Sequence, residues 1–99
     1  MMFPKAGVYR SEKWKAAVRD MGFCIRCGST DSLECAHRDE GKGMGMKASD
    51  ALTCLLCRAC HFLLGNGKEL DRDTKRAEMN RCIVLQVEWL AINGKLKVV

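Results

Sequence analysis

Apolar side chains recur along this chain with two different periods, and the change of period marks its elements. Between residues 11 and 21, Trp14, Ala17, Val18 and Met21 return at three- and four-residue steps, while Lys13, Lys15 and Arg19 take the opposite side. That spacing predicts a short helix with Ser11 as its N-cap and Gly22 placed to stop it. Residues 33–37, LECAH, alternate instead, so Leu33, Cys35 and His37 share a face of a short strand that ends on His37. The run ALTCLL at 51–56 predicts a second strand, which leads into Cys57-Arg58-Ala59-Cys60-His61 and a helix opening at His61 and closed by Gly65 or Gly67. From about Asp73 to Asn93 a long helix is expected. It has acidic residues at its start, Met79, Cys82, Ile83, Val87 and Leu90 as its apolar stripe, and Gly94 as its stop. At ~1.5 Å per residue it spans roughly 30 Å, the width of a small domain. Val84, Leu85, Trp89 and Ile92 make its second half apolar on further faces, so the 73–93 helix either backs the core or contributes to a homodimer interface. Residues 38–50 alternate three glycines with Lys and Met, without β-branched residues, and read as a loop. It is not a phosphate loop, because Gly41-Lys42-Gly43 lacks the Gly-Lys-Ser/Thr that opens a helix.

The expected architecture is a single α+β domain over residues 1–99, since no linker divides the chain and no repeat goes beyond the paired cysteine motifs. A chain this short buries only about 60–65% of the surface its unfolded form exposes, which makes a staple beyond the apolar core useful. With 47% hydrophobic and 29% charged residues it is not a disordered polymer. Its longest apolar stretches, such as CIVL at 82–85 and WLAI at 89–92, fall far short of the ~18–20 residues of a membrane span. The segment MMFPKAGVYR has neither an apolar core of secretory length nor a small-residue cleavage site, so the cytoplasm is the expected location. The formal charge of +5 sits at the two ends, with +3 over residues 1–23, zero over 24–70 and +2 over 71–99. Such a balance suits a polyanion partner, and equally suits a solvated surface.

Seven cysteines change that picture. In a reducing compartment they are a poor disulfide framework, and an odd number cannot pair fully within one chain. Cys24-x-x-Cys27 and Cys57-x-x-Cys60 form two hooks, and four thiolates at ~2.3 Å around one ion make a closed structural zinc site. An iron site of rubredoxin type uses similar hooks but gives the histidines no role. Cys57-Arg-Ala-Cys60-His61 matches a covalent haem attachment string, yet attachment normally needs an exported protein, so no haem is expected. A thioredoxin-type redox pair would need a βαβ setting that is missing. Cys35, Cys54 and Cys82 read as small buried hydrophobes.

The chain has two histidines, and both flank the cysteine hooks, His37 at a strand end and His61 directly after the fourth cysteine. A Cys-x-x-Cys, a strand ending in Ala-His, a glycine-containing loop and Leu-Cys-x-x-Cys-His together resemble the HNH endonucleases of the ββα-metal, zinc treble-clef type. More narrowly, the segments ECAHRDEGKG, LLCRACH and QVEWLAING, within residues 9–94, resemble small prophage-encoded nucleases of the YbcO type. The resemblance implies hydrolysis of DNA phosphodiester bonds with His37 as general base and His61 as ligand of a divalent ion, Mg²⁺, Mn²⁺ or a second Zn²⁺. A neutral imidazole with an ordinary pKa near ~6.5 can take a proton at neutral pH, while the transition state gathers negative charge that cations must offset. Two positions depart from the family pattern. Ala36 stands where many such sites carry a metal-binding Asp or His, and the middle Asn is missing, with Asp50 nearest to its slot and Asp39 and Glu40 as looser candidates. A carboxylate there would bind metal or orient His37. Arg38, Lys42, Lys47 and Arg58 are candidate phosphate contacts, each also readable as a solvated loop residue. The alternative reading is a non-catalytic zinc treble-clef module that binds nucleic acid or a protein, and a third is a zinc-stapled oligomerisation module.

Overall fold

The computed structural model describes residues 9–38 and 49–98 of the chain. Helix α1 (Glu12–Arg19) starts where the extended Ser11 accepts the Trp14 amide on its hydroxyl at 3.0 Å. Beyond its C-cap Asp20, Gly22 takes a φ of +76°, a left-handed value that glycine reaches without strain. Strands β1 (Leu33–His37) and β2 (Thr53–Cys57) pair antiparallel, with Leu33 opposite Cys57 and His37 opposite Thr53. Two strands alone are marginal in water. Here both faces are covered, because α2 (Arg58–Gly65) and α3 (Arg72–Ile92) follow β2 and fold back over the sheet. Ala36, Cys54 and Leu56 pack with Leu64 of α2 and Met79, Cys82 and Ile83 of α3. Leu55 points the other way, into Val18 of α1, Met21 just beyond its C-cap and Leu90 from the end of α3. The result is a small α+β unit in which every residue of β2 is buried.

Three sequence expectations need correction. The second strand begins at Thr53 instead of Ala51, because Leu52 donates to the Ser49 carbonyl (3.0 Å) and the Thr53 hydroxyl to that of Asp50 (2.8 Å), closing a turn. Helix α2 begins at Arg58, three residues before His61, since the Cys57 sulfur caps it by accepting the Cys60 amide. The buried stripe of α3 takes in Gln86, fully buried, and leaves Val87 exposed. Gln86 is held there by an orphan of the sheet. Leu55 turns its N–H and C=O away from β1, giving the carbonyl to Ile25 (2.9 Å) and the N–H to Gln86 Oε1 (3.0 Å). The ends of α3 agree with expectation: Asp71 accepts the Thr74 amide at 2.7 Å, and Gly94 follows the last turn with φ +72°. No helix among the described residues is long and apolar enough to cross a membrane.

Candidate metal centre and basic cleft

Residues 24–29 close on themselves as a knuckle, with the Cys24 amide on the Ser29 carbonyl (2.7 Å) and the Gly28 amide on the Cys24 carbonyl (2.8 Å). Gly28 makes the turn possible at φ +82°. The knuckle faces the end of β2 and the first turn of α2, so the sulfurs of Cys24, Cys27, Cys57 and Cys60 all lie within 4.8 Å of one another. Those of Cys27 and Cys57 are 3.6 Å apart. Sulfurs around a tetrahedral zinc with ~2.3 Å bonds stand about 3.8 Å apart, so the set fits one zinc ion. The Cys27 and Cys60 amides each donate to the first sulfur of their own hook at 3.5 Å, and Arg26 Nη1 donates to Cys60 at 3.5 Å. Burial raises the Cys24 pKa, but the amides of Cys57, Cys27 and Arg26 outweigh it and bring the thiol down to about 6, toward the thiolate a metal needs. Arg26 also reaches Glu78 of α3 at 2.8 Å, which ties the centre to the long helix.

His37, at the end of β1, has its Nε2 2.7 Å from Asp50 Oδ1. Asp50 is buried, and it is held from several sides: Oδ2 accepts the Ser11 amide at 2.8 Å, Arg10 lies 3.4 Å from Oδ1, and Lys15 lies 4.0 Å from Oδ2. Desolvation pushes the Asp50 pKa up, but the bonds from His37 and Ser11 and the charge of Lys15 bring it down to about 2. An ionised carboxylate only accepts, so Nε2 carries the His37 proton and Nδ1 keeps the lone pair. Asp50 thus presents one oxygen to the His37 imidazole and the other to the Ser11 amide.

His37 and His61 line one cleft of about 330 Å³, together with Arg38, Arg72, Lys75 and Arg76, over an apolar floor that includes Leu56, Leu64 and Met79. Arg38 Nε is buried there with no hydrogen-bond partner among the described residues, although Nη1 reaches Asn80 at 3.4 Å. A buried orphan donor in a cationic cleft is the kind of group an anion satisfies. His61 Nδ1 lies 2.6 Å from Glu34 Oε1, leaving Nε2 for another partner. A carboxylate behind an imidazole is a common support for a metal-binding histidine. Among the described residues, however, no group of three or more His, Cys, Asp or Glu side chains comes together apart from the cysteines.

Four contributors to the cleft escaped the sequence reading: Arg72, Lys75, Arg76 and, behind His61, Glu34. The signal was present, since Arg72, Lys75, Arg76 and Met79 share one face of α3 at three- and four-residue steps. Arg58 is not in this cleft; it lines a separate groove with Ser29, Asp31 and Phe62. Lys42, Lys47, Asp39 and Glu40 lie outside the described residues. Cys54 and Cys82 are fully buried and Cys35 partly so, as small hydrophobes would be. No family model, curated protein or solved structure matches the chain.

Proposed function

We propose that the protein is a metal-dependent HNH-type endonuclease acting on DNA, with His37 as general base. The observation that carries this reading is the His37–Asp50 pair, which leaves the Nδ1 lone pair free on a ring lining a cleft with four cationic side chains. In this reading His37 Nδ1 takes a proton from water as the oxygen attacks phosphorus and the bond to the 3′ oxygen breaks. The 3′ oxygen leaves as an oxyanion and takes a proton from solvent, while the imidazolium, which Asp50 holds in place, returns its proton to solvent. Arg38 and the α3 cations Arg72, Lys75 and Arg76 offset the charge gathering on the phosphoryl oxygens. Mg²⁺ or Mn²⁺ would add Lewis-acid stabilisation, with His61 Nε2 as its protein donor, backed by Glu34.

Among the described residues no group of three metal ligands forms at His61, which favours one competitor, a zinc module that binds nucleic acid through the same cations without cutting it. Cleavage of supercoiled plasmid with Mg²⁺ or Mn²⁺ separates the two. Nicking by wild type and its loss in His37→Ala, with fold and zinc content retained, is the expected result. Equal nicking by both would remove His37 as base, and no cleavage by wild type with either metal would leave the binding module.

A further inference from the structure

We infer that the outward face of α3 is a self-association surface through which two copies of the chain pair antiparallel, about a two-fold axis between Val84 and Leu85. The inference is independent of the nuclease reading. Helix α3 meets the core with Met79, Cys82, Ile83, Gln86 and Leu90. Its other side carries Ala77, Arg81, Val84, Glu88 and Ile92, which follow one another at four- and three-residue steps and so form one stripe. All five are exposed, Val84 by 67% and Ile92 by 75%.

Glu88 sits in this stripe between the two large apolar residues and has no ion-pair partner among the described residues. Arg81 gives its Nε and Nη2 to Glu78 at 2.9 and 2.8 Å and keeps Nη1 for a further acceptor. An antiparallel pair centred between residues 84 and 85 puts Arg81 opposite Glu88 twice, Ala77 opposite Ile92 twice, and Val84 against Leu85 at the centre. Two alternative arrangements meet repulsion. A parallel pair sets Arg81 on Arg81 and Glu88 on Glu88, and an antiparallel pair centred on residue 88 sets the glutamates on each other. Charges flanking an apolar helix seam select orientation and register in this way, and a two-fold axis lets one stripe serve both copies. The apolar part of the seam is small, so the dimer falls in the weak, reversible class that buries less than about 1,200 Å² in total.

Sedimentation equilibrium of the zinc-loaded full chain, from micromolar to millimolar concentration, tests this. Wild type is expected to pass reversibly from monomer to dimer. E88R and R81E are each expected to weaken association by about tenfold or more, and R81E/E88R to recover most of that loss. Since Arg81 also holds Glu78, circular dichroism accompanies each variant. Should R81E misfold, E88R beside E88Q carries the test, reversal of the charge weakening association more than its removal. A monomer at every concentration, charge reversals without effect, or a folded double variant no tighter than the singles would each overturn the inference.

Discussion

An imidazole can act as base only through the nitrogen that lacks a proton, and in this protein one carboxylate decides which nitrogen that is. Asp50 accepts from His37 Nε2 at 2.7 Å and therefore leaves Nδ1 unprotonated. In Asp50→Asn the amide can donate instead, which favours the opposite tautomer and turns the basic nitrogen away from its task. If His37 is the base, this variant should lose on the order of 10³- to 10⁴-fold in plasmid cleavage rate while retaining zinc and DNA binding. The same residue links folding to pH. Its carboxyl titrates at about 2 against an ordinary 3.8, so it favours the folded state above the ordinary value, and that contribution is lost as pH falls toward 2. The gap in urea midpoint between wild type and Asp50→Asn is accordingly expected to narrow as pH falls below about 4.

At the level of elements, positions that announce themselves locally were legible in the sequence, and positions decided by a distant backbone group were not. Ser11, Gly22 and Gly94 mark the ends of α1 and α3 through capping chemistry contained in a few residues, and the alternation in LECAH identifies β1. The turn of α3 about its axis is a different matter. Apolar periodicity favours Val87, but the helix buries Gln86, whose amide serves a Leu55 N–H that the two-stranded sheet leaves over. Nothing near residue 86 signals that need. Gln86→Leu adds apolar surface yet strands a buried N–H, so it is expected to destabilise the fold by about 1–3 kcal/mol in a denaturant titration. The candidate site divides in the same manner. The cysteine hooks and both histidines could be picked out from spacing and Asp50 from the resemblance to the HNH pattern, whereas Arg72, Lys75 and Arg76 reach the cleft only because α3 crosses back over the sheet.

For the whole molecule, the four cysteines join what the chain order separates. Cys24 and Cys27 lie between α1 and β1, while Cys57 and Cys60 join β2 to α2, so one ion would clamp both halves of a two-stranded sheet. Metal binding to such a set is also folding energy. The purified protein is expected to hold one zinc per chain, and a strong chelator should reversibly abolish its cooperative thermal transition. Four thiolates around Zn²⁺ leave two negative charges, which lowers the chain from its formal +5 to +3 and places them among groups that are largely buried. Arg26 is the cation positioned to answer this, with Nη1 on Cys60 and Nε on Glu78, and Glu78 is held in turn by Arg81. A network in which each charge has its partner is costly to open at one member. In Arg26→Ala the Cys60 thiolate loses its donor and Glu78 one of its two arginines, while the helices keep their caps and core contacts. Zinc affinity, followed by competition with a colorimetric chelator, is therefore expected to fall about 10- to 100-fold with helical content unchanged, and Arg26→Lys to recover part of the loss. Unaltered affinity in Arg26→Ala would mean that the sulfurs and their backbone amides hold the ion without this arginine.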